Sequence, residues 1–103
     1  MTKLNDDLNA ALEAEYDPDD GFLGLLRGGH FDTRARDRFL HLLESVEIAE
    51  DAKTIDRRLV ALLWYMPLFM QWQGRRLDDE EQAALQPVLD AVTNRLERIL
   101  GAP

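Results

Sequence analysis

Apolar side chains recur along the chain at the spacing of amphipathic α-helices, and no segment of useful length alternates with the period of a β-strand. Asp17 and Pro18 should end the first helix, predicted within residues 2–16, because proline disfavours a helical conformation in the residue before it. Its acidic residues Asp6, Asp7, Glu13 and Glu15 should lie near solvent. Its apolar stripe consists of Leu4, Leu8, Ala11 and Leu12.

Two more helices are predicted in the first half of the chain. A short second helix should be capped by Asp19 or Asp20 and stopped by Gly28 and Gly29; its apolar residues are Phe22, Leu23, Leu25 and Leu26. The third helix should begin with Asp32 or Thr33 as its N-cap. Its predicted buried face is Ala35, Phe39, Leu42, Leu43 and Val46.

The fourth helix is predicted to be the central helix of the fold. Thr54 is its expected N-cap, after a polar bridge at residues 50–53, and its segment 59–72 is apolar on nearly all sides. Pro67 removes one amide donor, which predicts a kink or a meeting of two helices there. Such a run is typical of a core rather than a ligand pocket, with Trp72 the residue nearest to the surface; it contains Trp64, Tyr65, Met66, Phe69, Met70 and Trp72.

The last helix should start with Asp78 as its N-cap and Glu81 in capping-box spacing. Pro87 predicts a bend or a restart at residue 86 or 87. Its predicted buried face is Leu85, Val88, Leu89, Val92, Leu96 and Ile99. The sequence therefore predicts an all-α fold, a compact bundle of four to five helices, with the central apolar helix kinked near Pro67 and a single helical domain over residues 1–103.

Charge is distributed unevenly along the chain. The 103 residues have a formal net charge of -8, with a net -6 in residues 1–26 and a net -4 in residues 78–103. If the first and last helices are neighbours, their acidic faces merge into one anionic surface. Direct binding to nucleic acid or to an anionic membrane is disfavoured by this charge, and a basic protein partner is favoured.

The residue types that usually carry chemistry are scarce. The chain has no cysteine and two histidines, His30 and His41, which excludes disulfides, thiol chemistry and zinc sites built on Cys and His clusters. Ser45 is the only serine, and there is no glycine-rich phosphate loop. We therefore expect a protein that is not an enzyme and has no cofactor. The absence of a signal sequence and of a long apolar span predicts a cytoplasmic protein.

The richest acidic cluster surrounds the predicted turn after the first helix. It fits a docking surface for a basic protein, in which carboxylates attract the partner and Tyr16 adds contact area. The alternative is a solvated helix end followed by a helix cap. A calcium loop of the EF-hand type does not fit, because it needs glycine at its sixth position and glutamate at its twelfth. Counting from Asp17, Gly21 is fifth and the twelfth residue is Gly28. The candidate partner-binding residues are Glu13, Glu15, Tyr16, Asp17, Asp19 and Asp20.

Arginines are grouped at three places, but acidic residues alternate with many of them. Salt bridges within the chain explain this pattern better than a nucleic-acid interface does. The arginines are Arg34, Arg36, Arg38, Arg57, Arg58, Arg75 and Arg76, and the acids are Asp32, Asp37, Glu44, Asp51 and Asp56.

Residues 29–72 resemble the small acidic helical immunity proteins of bacterial contact-dependent inhibition and polymorphic toxin systems. The resemblance depends on the motif GHFD at residues 29–32, the run IDRRLVALLWYMP at residues 55–67, and Trp72 after it. It implies a cytoplasmic protein without activity of its own, which binds one cognate toxin domain, often a nuclease, and blocks it. It implies no particular binding residues.

The acidic composition agrees with that resemblance, since a domain that binds nucleic acid has a basic surface. We therefore expect an immunity protein that neutralises a basic toxin domain by stoichiometric binding, as a monomer within the complex. Two alternatives remain open. One is a helical adaptor that self-associates through apolar groups around Trp72 and Leu77, and the other is an acidic mimic of nucleic acid that inhibits another enzyme.

Overall fold

A computed structural model describes residues 3–47 and 54–101, including the side chains of residues 7–47 and 54–101. The described chain is all-α and contains no β-strand, which confirms the predicted bundle of four to five helices. The helices are α1 (Lys3–Ala14), α2 (Phe22–Arg27), α3 (Thr33–Glu44), α4 (Arg57–Gly74) and α5 (Asp79–Leu100). The side chain of Leu4 and the polar bridge at 50–53 lie outside the described residues.

Helix α4 is the centre of the bundle, as its apolar sequence predicts. It packs against α1, α2 and α5, while α3 packs against α5 and α2. The side chains that α4 contributes to the core are Leu59, Leu63, Met66, Phe69 and Met70. Helices α4 and α5 continue through Pro67 and Pro87, so neither the meeting of two helices nor a restart occurs. The kink at Pro67 stays a prediction.

Aspartates cap three of the helices. Asp32 Oδ1 accepts a hydrogen bond from the amide of Ala35 at 2.9 Å, and Asp78 Oδ1 accepts one from the amide of Glu81 at 2.7 Å, as predicted. The prediction of Thr54 for α4 is wrong, because the N-cap is Asp56.

The predicted cap of α2 is also wrong. Neither Asp19 nor Asp20 caps this helix; its N-cap is Gly21, which has no side chain to accept a hydrogen bond. The carboxylate of Glu15 accepts one from the first helical amide, that of Phe22, at 3.1 Å. Glu15, the residue just after α1, therefore caps α2 in place of a local side chain.

The C-terminal end of α3 is satisfied by a side chain of α5. Arg95 donates hydrogen bonds to the carbonyl oxygens of Leu43, Glu44 and Val46 at 3.0, 2.9 and 2.6 Å. Leu43 and Glu44 lie in the last turn of α3 and Val46 lies just after it, where the carbonyl oxygens have no helical amide four residues further on. One guanidinium therefore fixes where α3 ends against α5.

The predicted core faces are largely confirmed. Val92 and Leu96 of α5 and Phe39 and Leu43 of α3 are buried, while Leu89 is only half-buried. Helix α1 packs on α4, and α5 is not among its principal neighbours. The expectation that the acidic faces of the first and last helices merge is therefore not supported.

Within the described ranges, no helix combines the length and the apolar content needed to cross a membrane.

Candidate functional site

Three large aromatic side chains of α4 are exposed on one side of the bundle. Trp64 is 52% exposed, Tyr65 37% and Trp72 47%. At 100° per residue, these positions fall within an arc of about 100° around the helix axis. We call Trp64, Tyr65 and Trp72 the aromatic face. The prediction that Trp64 and Tyr65 lie in the core is wrong, whereas Trp72 reaches the surface as expected.

The aromatic face is exposed because α1, α2 and α5 cover the other sides of α4. Its rings contact one another edge to face. The Tyr65 ring centroid lies 5.9 Å from that of Trp64 and 6.0 Å from that of Trp72, with interplanar angles of 73° and 75°. Such pairs stabilise one another and lose little side-chain entropy on binding, because the rings are already ordered. Exposed, ordered aromatic groups are typical of the centre of a protein interface.

The second part of the site is the turn between α1 and α2, which presents three carboxylates to solvent. We call Asp17, Asp19 and Asp20 the acidic turn. Asp17 Oδ1 accepts hydrogen bonds from the amides of Asp19 at 2.8 Å and Asp20 at 3.1 Å. This aspartate turn fixes the local backbone. The carboxylates of Asp19 and Asp20 accept no hydrogen bond from any described residue, so they are available to a partner.

Glu15 lies beneath this turn and is buried, with 4% of its surface exposed. Its expected place on the solvent side of α1 is therefore wrong. Arg38 Nε and Nη2 each donate to the Glu15 carboxylate at 3.3 Å, and Arg38 also donates to the carbonyl oxygen of Asp20. The hydrogen bond to Glu15 raises the pKa of Arg38 above its ordinary value. Glu15 thus joins α1, α2 and α3 and positions the acidic turn from inside.

The turn also needs glycine at the start of α2. A Cβ atom on Gly24 would overlap the carbonyl oxygen of Asp17, and a Cβ on Gly21 would overlap that of Glu15. This close approach allows the amide of Gly24 to donate to the carbonyl oxygen of Glu15 at 3.0 Å. Helix α2 therefore lies directly against the backbone of the turn.

Tyr16 connects the acidic turn to the aromatic face. Its ring stacks against Tyr65 at 6.5 Å and lies edge-on to Phe69 at 5.2 Å. Its hydroxyl donates to the carbonyl oxygen of Leu62 at 3.3 Å. Burial, with a smaller contribution from Tyr65, raises the pKa of Tyr16 to about 12. The half-buried Tyr16 is thus neutral at physiological pH. Its contact with Tyr65 joins the acidic turn and the aromatic face into one surface.

Glu13 lies on the same side of the molecule, since it forms an ion pair with Arg58 at the start of α4. Both side chains are largely exposed. The structure therefore brings five of the six predicted site residues to one surface, Glu13, Tyr16, Asp17, Asp19 and Asp20, and places the sixth, Glu15, underneath.

Sequence reasoning missed Trp64 and Tyr65 as surface residues. A signal was present in the polar side chains that share their arc of α4. Arg57 at the start of α4, Gln71, and Arg75 just after its end fall on the same side of the helix at 100° per residue and are exposed. Charged and polar residues along one side of a helix indicate that this side faces solvent.

Elsewhere, the residues that usually carry chemistry are dispersed. His30 and His41 are exposed, and Ser45 Oγ donates to the carbonyl oxygen of Leu42 at 2.6 Å. The described residues contain no group of three or more His, Asp or Glu side chains arranged to hold a metal ion. Leu77 is 4% exposed, so the predicted apolar surface around Trp72 and Leu77 does not include Leu77.

No protein-family model, curated protein sequence or solved structure matches this chain at a significant level. The resemblance of residues 29–72 to immunity proteins thus stays a prediction from the sequence.

Proposed function

We propose that this chain is an immunity-type inhibitor, a small cytoplasmic protein that binds a cognate basic toxin domain of the nuclease class and blocks it stoichiometrically. The main support for the proposal is that the aromatic face lies beside the acidic turn, joined to it by the contact of Tyr16 with Tyr65. Exposed aromatic groups supply the contact energy of protein interfaces, and carboxylates around them select a cationic partner. A net charge of -8 adds long-range attraction to such a partner.

The proposed contact residues are those that the structure exposes on this surface. Asp17, Asp19 and Asp20 supply charge, and Tyr16 and Glu13 border the aromatic face. Glu15 acts through the backbone of the turn, because its carboxylate is occupied by Phe22 and Arg38. A domain that cleaves nucleic acid must have a cationic substrate surface, so an acidic inhibitor that covers it also excludes the substrate.

A growth assay tests this function. The C-terminal domain encoded by the gene immediately upstream is expressed in cells with and without this chain. The proposal expects the fragment to stop growth and the chain to restore it. The variant with Asp19→Lys and Asp20→Lys together, at exposed positions, should fail to protect at the same expression level. A harmless fragment, or one that kills regardless of the chain, overturns the proposal.

A further inference from the structure

We propose that this surface binds arginine side chains of the partner, some stacked on the indole rings of Trp64 and Trp72 and others paired with the carboxylates of Asp19 and Asp20. This inference rests on the proposed function, which makes the partner a protein. It adds a chemical preference, for arginine over lysine, that the acidic composition alone does not supply.

The aromatic face supplies the first half of this chemistry. An indole ring attracts a cation to its face, and the planar guanidinium stacks on it more effectively than an ammonium group does. Trp64 and Trp72 are each about half exposed, so their rings are accessible while Tyr65 keeps them in place from between. Such a surface offers more to arginine than to an aliphatic side chain of equal size.

The acidic turn supplies the second half. Asp19 and Asp20 are exposed and accept no hydrogen bond from the described residues, whereas Asp17 already accepts two backbone amides. A carboxylate pairs with the fork of guanidinium N–H groups through two parallel hydrogen bonds, which an ammonium group cannot form. Stacking and pairing are therefore available on neighbouring parts of one surface.

The chain already uses both contacts at the border of this surface. The guanidinium of Arg27 lies over the Phe69 ring, 5.3 Å from its centroid, and Phe69 in turn contacts Tyr16 and Tyr65. Arg58 pairs with Glu13 at the other edge. An arginine from a partner would extend the same arrangement outward.

Charge favours a cationic partner over a second copy of this chain. Two copies would bring a net charge of -8 against another -8.

The test uses two nine-residue peptides of equal charge, one of alternating arginine and glycine and one of alternating lysine and glycine. The only two tryptophans of the chain are those of the aromatic face, so their fluorescence reports binding there directly. At 0.15 M salt we expect the arginine peptide to change this fluorescence and to bind about three- to tenfold more tightly than the lysine peptide. Calorimetry should show this preference falling below about twofold in the variant with Trp64→Ala and Trp72→Ala.

Two charge variants serve as matched controls, since each removes two carboxylates. Asp19→Asn with Asp20→Asn should weaken binding of the arginine peptide more than Asp90→Asn with Glu97→Gln, at exposed positions of α5. Equal affinities of the two peptides for the native chain, or a preference that survives loss of both tryptophans, overturn the inference. So does a dimer, seen by light scattering, that Trp64→Ala dissociates, because a second copy then occupies the face.

The failures of the two proposals are distinguishable. If the native chain rescues growth but shows no arginine preference, this inference is wrong and the proposed function stands. If the tryptophan-dependent preference is present and growth is not rescued, the chemistry of the face stands and the immunity function is wrong.

Discussion

Glu13 and Glu15 are two residues apart at the end of α1, yet their environments differ. Glu13 is exposed and pairs with an exposed arginine, an arrangement that contributes little to stability. Glu15 is buried and accepts hydrogen bonds from Phe22 and Arg38. Sequence spacing could not distinguish them, because the residues that surround Glu15 come from α2 and α3.

Replacing Glu15 should therefore cost far more than replacing Glu13. We expect Glu15→Gln to lower the free energy of unfolding by about 1–3 kcal/mol, because it leaves Arg38 without its charged partner. Glu13→Gln should change it by less than about 0.5 kcal/mol. Urea unfolding of both variants measures the difference, and equal effects would contradict the positioning role of Glu15.

The pKa of Tyr16 gives a second prediction at this scale. Its hydroxyl ionises near 10 in the unfolded chain and near 12 in the folded one, since burial disfavours the phenolate. The unfolded state therefore loses its proton first as the pH rises, and the stabilisation is complete below pH 10 and lost between about pH 10 and 12. Urea unfolding should show stability falling more steeply over this interval in the native chain than in Tyr16→Phe. Parallel declines would contradict the burial of this hydroxyl.

At the scale of the helices, α2 shows packing overriding local propensity. Gly24 is in the interior of a helix, where alanine normally stabilises by up to about 1 kcal/mol. Here its Cβ would overlap the backbone of the acidic turn. We expect Gly24→Ala to destabilise by about 2–3 kcal/mol, measured by thermal unfolding.

Gly28 provides the control for this prediction. A Cβ there would have its nearest neighbours at 3.5 Å, and its φ of -81° suits any residue. Gly28→Ala should change stability by less than about 0.5 kcal/mol. If Gly24→Ala were equally mild, α2 would not lie against the turn as described.

The helices themselves were predictable, because their apolar stripes and two of their aspartate caps are local signals. Asp32 and Asp78 each stand three residues before the amide that they accept from. Thr54 was a plausible cap by type, but Asp56 is nearer to the first turn of α4. The cap of α2 was not predictable, since the carboxylate that satisfies it comes from seven residues earlier.

The aromatic face shows the limit of reading a single helix. Segment 59–72 is apolar on nearly all sides, which predicts burial on all sides. Three helices pack against α4, but no described helix covers Trp64, Tyr65 and Trp72. How many helices surround α4 is a property of the whole bundle and cannot be read from α4 alone.

At the scale of the whole molecule, the fold makes one surface from distant segments. Tyr16 and Tyr65 are 49 positions apart in the chain and stack at 6.5 Å, which brings the acidic turn to the aromatic face. The sequence predicted the acidic half of this surface as a cluster, because its residues are consecutive. The aromatic half was not predictable, because the exposure of its residues depends on which helices pack against α4.

The proposed function requires this surface to bind a basic toxin domain one to one and to inhibit it. Calorimetric titration of the purified toxin fragment with the purified chain measures this binding. We predict a 1:1 complex whose affinity falls at least about tenfold between 0.05 and 0.5 M salt, because screening weakens charge attraction. The nuclease activity should vanish at one equivalent of the chain. If the chain does not bind the fragment, or binds it and leaves it active, the proposed function is wrong.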